Sequence, residues 1–214
     1  MPVRTPSNRY GKNIVGKFPS LKLGRMVSFE SRIERDQIYL MEYDPDIVLY
    51  EEQPLVIEYT CAGKRYKYYP DFKVVTSRGQ HLLLECKAEK YVNKDSNQRK
   101  FAAGKSWCAK HNWEFRLITE QVIRAGFRLE NVMLLWQFAR HNISWETRTR
   151  ILAVMNSHQP LALDALSGQV DPANPRATIV SILNMIFHHE LSTLIDDTKI
   201  SDNSLVYLSN QNGG

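Results

Sequence analysis

The chain has 214 residues, 43% of them apolar, and carries 28 Lys plus Arg against 23 Asp plus Glu, a net charge of +5. That is enough apolar chain for one sizeable domain or two small ones, which excludes disorder as the main state. The longest apolar runs, Val132 to Trp136 and Ile151 to Met155, fall far short of the roughly 18 to 20 residues of a membrane span, and no signal-like apolar stretch lies near the start, so a soluble, cytoplasmic protein is expected.

The charge is unevenly shared. Residues 142–214 sum to −3, which leaves +8 for residues 1–141, so the first part is suited to a polyanion and the second is not. Cys61, Cys86 and Cys108 form no C-x-x-C pair and have no zinc-like spacing with the histidines, which argues against a disulfide framework and a structural zinc site.

Residues 1–27 read as a basic arm: through residue 29 there are six basic side chains and no acidic one, among several Gly, Pro and Ser. Such an arm is either a flexible tail or a nucleic-acid contact. A helix follows, with two competing starts, Ser28 and the capping-box pattern Ser31-Arg32-Ile33-Glu34. Ile33, Leu40 and Met41 form its apolar side, and Asp44-Pro45-Asp46 stops it.

Four strand-like runs come next: Ile47 to Tyr50, Leu55 to Thr60, Arg65 to Val75 and His81 to Lys87. Beyond the polar stretch Tyr91 to Arg99, a helix places Phe101, Gly104, Lys105 and Cys108 on one side, followed by a strand from Trp113 to Ile118 and helical segments at Glu120 to Ala125 and Asn131 to His141. This order describes an α/β or α+β domain over residues 28–143, a mixed sheet flanked by helices. In residues 144–214, helices are expected from Trp145 to His158, at Leu161 to Leu166 and from Pro175, with Leu191 to Ile195 and Leu205 to Leu208 as a hairpin. Three helices and a hairpin fit a winged-helix-like module.

Ser77-Arg78-Gly79 fits a three-residue hairpin loop with Gly79 at the position that needs a positive φ. Thr76 then faces Gln80 and, counting outward, Asp71 faces Glu85, with Cβ atoms about 4.5 to 5.5 Å apart. Strand alternation puts Lys87 on the face of Glu85. Two carboxylates this close repel each other unless a cation sits between them. An all-oxygen donor set favours Mg²⁺, or Mn²⁺, over zinc, and the Lys87 ammonium can stabilise charge on a phosphoryl group. This is equipment for phosphodiester hydrolysis. The plainer alternative is a cross-strand Asp71–Lys87 ion pair with Glu85 as a solvated edge residue.

Pro70-Asp71 and Glu85-Cys86-Lys87 match the P-D…(E/D)-x-K pattern of restriction-endonuclease-like nucleases. Together with Phe29 to Asp36, Tyr43 to Ile47, Glu52-Gln53-Pro54-Leu55, Tyr69 to Phe72 and Phe115 to Glu120, the chain resembles the TnsA endonuclease subunit of heteromeric transposases, in order from about residue 25 to 140 and weakly beyond. The resemblance implies a restriction-endonuclease-like fold and a DNA-nicking enzyme working beside a TnsB-like DDE transposase and a TnsC-like ATPase. It also implies that Glu34 is a helix-borne catalytic acid, that Glu34, Asp71 and Glu85 are metal ligands, and that Lys87 is the catalytic lysine. Some family members have Gln at the position of Glu85. Glu34 serves that role more readily if the helix starts at Ser28, since a Ser31 cap would engage it.

Expected DNA contacts are Lys22, Arg25, Arg32, Lys73, Lys94, Arg99 and Lys100, with Lys17 and Lys90 beside them. Tyr66, Tyr68 and Tyr69 fit sheet packing better than base stacking. The acidic C-terminal module, with Arg176 as the one basic side chain of its third helix, is suited to docking a protein rather than DNA. A repair or restriction nuclease of the same fold and a non-catalytic DNA-end scaffold are the competing readings.

Overall fold

The basic segment expected to be an arm folds from Gly16 onward. In the computed structural model, which describes residues 14–209, Gly16–Pro19 (β1) and Met26–Phe29 (β2) pair as an antiparallel hairpin; the earlier residues of the expected arm lie outside the described residues. Phe18, Val27 and Phe29 are buried, and Phe18 meets Tyr39 edge to face at 4.8 Å. What holds the hairpin is a carboxylate remote in sequence. Buried Glu42 accepts from the Ser20 hydroxyl, from the Leu21 and Lys22 N–H groups at 2.9 and 3.3 Å, and from the Tyr50 hydroxyl at 2.5 Å. Charge composition could not reveal a fold whose anchoring acid stands twenty residues downstream.

The helix that follows is Arg32–Tyr43 (α1), and its start decides between the two candidates against the one that would have left Glu34 disengaged: Ser31, not Ser28, is the cap, its Oγ accepting from the Glu34 N–H at 3.1 Å. Ser28 is unavailable because it is paired with Lys17 in β2. Ile38 and Met41 are fully buried, whereas Ile33 and Leu40 are only half-buried. Three acids, Glu34, Asp36 and Glu42, are buried on the helix as well. Asp36 is held by the guanidinium groups of Arg35 and Arg124 at 2.7 and 2.8 Å, as a buried charge requires.

Ile47–Glu52 (β3), Phe72–Thr76 (β6), His81–Cys86 (β7) and Glu114–Ile118 (β8) form a four-stranded sheet in the order β3-β6-β7-β8. The first three are antiparallel in turn and β8 is parallel to β7. Between β3 and β6, Ile57–Cys61 (β4) and Lys64–Tyr68 (β5) make a separate hairpin. The run Arg65 to Val75 is thus two strands and not one. Pro70, which has no N–H for a ladder, marks the break. The short helix Glu89–Val92 (α2) and the longer Asp95–His111 (α3) carry the chain from β7 to β8, and Glu120–Ile123 (α4) follows β8. This is the mixed, helix-flanked sheet of a restriction-endonuclease-like domain.

Helix α3 buries Phe101, Gly104 and Cys108, while Lys105 faces solvent. At Gly104 the backbone approaches β8 so closely that a Cβ would stand 2.6 Å from the Phe115 ring and 3.2 Å from that of Tyr68.

The described chain divides into two compact units, 1–124 and 125–214. The boundary falls earlier than residue 143 because Arg128–Trp136 (α5) packs within the second unit, burying Val132 and Leu135. Buried Asn131 closes a loop there: its Nδ2 donates to the Ile195 and Thr198 carbonyls at 2.8 and 2.7 Å, and its Oδ1 accepts from the Ile200 N–H at 2.9 Å. The unit continues through Trp145–Ser157 (α6), Leu161–Ala162 (β9), Leu163–Val170 (α7), Pro175–Phe187 (α8), Leu191–Thr193 (β10) and Leu205–Leu208 (β11), with a sheet ordered β10-β11-β9. The expected helices and hairpin of this unit are present, with α5 in front of them and β9 added to the sheet. No helix among the described residues is long and apolar enough to cross a membrane.

The close approach at Gly104 generates a prediction. Gly104→Ala forces Phe115 or α3 to shift and should destabilise the protein by about 1–3 kcal/mol, read from the urea midpoint, despite alanine's higher helix propensity.

Candidate active site

The turn at Thr76 to Gly79 sets the site's register. Gly79 has φ +74°, its N–H donates to the Thr76 carbonyl at 2.9 Å, and the Thr76 N–H donates to the Gln80 carbonyl at 2.9 Å. Phe72 then pairs with Leu84 and Lys73 with Leu83, so Asp71, the next residue out, stands opposite Glu85 as expected. The Asp71 N–H donates to the Leu84 carbonyl at 3.1 Å, and its Oδ2 accepts from the Cys86 N–H at 2.7 Å. The ladder therefore continues past the last paired residues, with a carboxylate in place of a carbonyl.

Glu85 is 2% exposed. Its two oxygens are engaged from two sides: Oε2 accepts from the Tyr68 hydroxyl at 2.9 Å, and Oε1 lies 3.1 Å from Lys87 Nζ. The plainer alternative, with Glu85 solvated and Asp71 as the lysine's ion-pair partner, is not what is seen: Lys87 pairs with Glu85. The Lys87 N–H donates to the Ile118 carbonyl at 2.9 Å, which extends the parallel ladder and fixes the root of the lysine.

Glu34 reaches this group from α1 and is also part of its own cap. Its Oε2 accepts from the Glu30 N–H at 2.7 Å while its N–H donates to Ser31. The capping role and proximity to the site coexist, since Glu34 and Lys87 act on each other electrostatically.

The electrostatics are those of crowded acids. Burial, then the charges of Glu85 and Glu34, push the Asp71 carboxyl well above the usual carboxylate range. Burial also raises Glu34, against the hydrogen bonds from Glu30 and Ser31. For Lys87, burial opposes the charge, but Glu85, Asp71 and Glu34 outweigh it and hold the ammonium above the ordinary lysine value. The Lys87 side chain is therefore favoured as a cation, fit to stabilise negative charge. The Cys86 thiol is raised by burial and the neighbouring acids, which makes it a packing group and not a nucleophile.

Whether a divalent cation suits these residues turns on donor type and number. The donors are carboxylate oxygens, and two of the acids are disfavoured as anions, a condition that a cation relieves. Among the described residues no group of three or more Asp, Glu, His or Cys side chains is gathered to hold a metal. Magnesium does not need one, because it commonly takes one or two protein carboxylates and completes its octahedron with water and substrate phosphate. Asp71 and Glu85 fit that requirement; Glu34 acts on Asp71 through its charge.

Residues 44–120 match the family model described as the TnsA-like endonuclease N terminal. Over this segment the chain is similar to TnsA-like endonucleases. The chain is also similar to the head completion nuclease of Enterobacteria phage T4, 25% identical over 129 residues, covering 49% of this chain and 86% of that protein. Both findings support a nuclease. Asp71, Glu85 and Lys87 lie within the TnsA-like match, and Glu34 lies before it.

The expected DNA contacts of the TnsA-like domain divide on inspection. Lys22 is not among them: its Nζ donates to the Asp44 and Ile47 carbonyls, tying the β1–β2 loop to the end of α1, and burial lowers its pKa. Arg25 is committed to a two-pronged pair with buried Glu52 at 2.8 and 2.7 Å. Lys73 lies over the Trp113 ring at 5.1 Å and Lys94 over Tyr91 at 4.4 Å. Arg32, with Lys90 and Arg124, lines a cleft of about 440 Å³ that includes Ala88, the residue after Lys87. Arg99 is exposed and Lys100 half-buried on α3. A larger cleft of about 560 Å³ at the other end of β7, lined by Arg78, His81, His111 and Trp113 among others, contains none of these carboxylates.

Tyr68 is the residue that sequence reasoning placed in the core without connecting it to the site. It is 1% exposed, as packing predicts, yet its hydroxyl reaches Glu85. The position three residues before Asp71, across the Pro70 break, was the available signal.

The raised carboxyls carry a pH signature. A carboxyl whose folded pKa lies above its unfolded value binds more protons when folded, so its contribution falls as pH rises from the ordinary carboxylate range through the folded value. In metal-free buffer, Asp71→Asn should be more stable than wild type near neutral pH and lose that advantage towards pH 4. Urea denaturation of both proteins across this interval checks it; parallel curves would remove Asp71 as the source of the strain.

Proposed function

We propose that the chain is the nicking subunit of a heteromeric transposase. It cuts DNA at the 5′ ends of a mobile element, while a TnsB-like DDE transposase cuts and joins the 3′ ends and a TnsC-like ATPase controls both. The observation that carries this reading is the cross-strand Asp71 and Glu85 pair with Lys87 on Glu85, inside a TnsA-like match.

In the proposed reaction a water oxygen bonds to phosphorus as the opposite P–O bond breaks. Asp71 and Glu85 would hold Mg²⁺ or Mn²⁺, which when bound supplies charge that polarises the phosphoryl oxygen and activates water. Lys87, held protonated by its acidic neighbours, stabilises the negative charge that grows on the phosphoryl oxygens. Glu34 keeps the local field negative, so that the cation and the ammonium remain in place. Arg32, Lys73, Lys94, Arg99 and Lys100 are the candidate phosphate contacts that remain once Lys22 and Arg25 are set aside.

The C-terminal unit is proposed to dock the protein partners. From residue 142 onward its charge is −3, which opposes the phosphate neutralisation that nonspecific DNA affinity requires. A second reading, favoured by the similarity to a phage nuclease, is a nuclease of the same fold that works without transposase partners.

Strand-specific cleavage of element-end DNA with partner proteins, ATP and Mg²⁺ tests both. Wild type should nick the 5′ ends, and Asp71→Ala and Lys87→Ala should each lower the rate by roughly 10²–10³-fold while remaining folded. Equal cleavage of unrelated ends without partners would favour the second reading. A wild-type protein that cuts nothing under either condition would sink the enzymatic proposal.

A further inference from the structure

Both oxygens of Glu85 are held, but by groups of different kind. Lys87 reaches Oε1 on a long stem that is a quarter exposed. Tyr68 reaches Oε2 from a ring sealed in the core, packed with Ile57, Leu83 and Cys108 and paired with Ile57 across the β4–β5 hairpin. Helix α3 closes over that ring at Gly104, where no side chain intervenes. A phenol, with an ordinary pKa near 10, is a donor at neutral pH. Its two side-chain torsions are fixed by packing, whereas the lysine can swing away without disturbing the core.

The two contacts therefore separate in function. When a cation approaches Glu85, the oxygen held by Lys87 is the one that can be released, and the oxygen held by Tyr68 is the one that anchors the carboxylate. We propose that Tyr68 is a positioning residue for the active site, fixing the orientation of Glu85 through Oε2 so that Oε1 is presented to a divalent cation. The inference rests on the reading of Asp71 and Glu85 as the cation-holding pair. It links the β4–β5 hairpin and α3, which bear none of the site's acids, to the geometry of the site.

The test is Mn²⁺ binding by the full chain in the absence of DNA, followed by electron paramagnetic resonance of the free ion. Tyr68→Phe keeps the ring and its packing and removes only the hydroxyl; its fold is read by circular dichroism. It should weaken Mn²⁺ binding by about 10–100-fold, the range typical for groups that orient a metal ligand. Ile57→Val loosens the same packing without touching the hydroxyl and should leave affinity within about twofold of wild type if orientation, not packing, is the cause. In a Glu85→Ala background, Tyr68→Phe should have no further effect, because the group it orients is gone.

Wild-type affinity in Tyr68→Phe would overturn the positioning role and leave the nuclease reading standing. An equal loss in Ile57→Val, or a further loss in the Glu85→Ala background, would overturn it in favour of packing. A wild-type protein that takes up no Mn²⁺ at millimolar concentration would overturn the cation-holding pair and this inference together.

Discussion

The fold brings two carboxylates, Asp71 and Glu85, to facing positions on adjacent strands, where their mutual repulsion must be answered. Elsewhere among the described residues buried acids are better compensated: Asp36 and Glu52 are paired with guanidinium groups, and Glu42 accepts from hydroxyl and backbone donors. At the site the compensation is incomplete. One ammonium, Lys87, serves Glu85, while Asp71 receives a single backbone N–H and remains disfavoured as an anion. The contrast separates a structural acid from a functional one. Burial is common to both, and what differs is whether the protein supplies enough positive partners.

That frustrated pair survives because the backbone beneath it is held on several sides. The hairpin turn at Gly79 fixes the register, the Asp71 N–H and carbonyl stay in the ladder with Leu84 and Gln53 while its side chain takes the Cys86 N–H, and the parallel strand β8 secures Lys87 through the Ile118 carbonyl. Further out, Gly104 lets α3 press on Phe115 and Tyr68, and the Tyr68 hydroxyl links that packing to Glu85. The like charges are thus a local conflict of the sort that marks functional sites in otherwise consistent folds.

How much of this could be read from the sequence depended on the range of the interaction involved. The Asp71 and Glu85 register was legible because one loop, closed by one glycine, determines it within fifteen residues. The helices of the second unit were legible for a similar reason: Pro175 is a local helix-start signal and does stand at the start of α8, while the caps Ser144 and Asn174 came from the structure. The errors came where a distant partner decides. Residues 16–29 read as an arm because their anchor is Glu42; Lys22 and Arg25 read as DNA contacts because the Asp44 and Ile47 carbonyls and Glu52 could not be seen from their own neighbourhood. The helix start failed differently. Both Ser28 and Ser31 are acceptable caps, and the choice was made by the pairing of Ser28 in β2. Helix α5 was assigned to the wrong unit because an apolar run states that it must be buried and not against what.

Charge, finally, has to be counted after pairing and not before. The +8 of residues 1–141 includes cations already consumed by Glu52, Asp36 and backbone carbonyls. The site at its centre is itself acidic, with Glu34, Asp71 and Glu85 around the single ammonium of Lys87. With its acids ionised, such a site repels phosphate. A polyanion can approach it only if cations around the rim outweigh the acids and if a further positive charge enters with the substrate. Arg32 and Lys90 at the cleft beside Ala88 are placed for the first requirement, and a divalent cation would meet the second. An acidic centre within a basic domain is thus one electrostatic arrangement: on the proposed function, the rim would favour arrival of the nucleic acid and the centre would hold the cation.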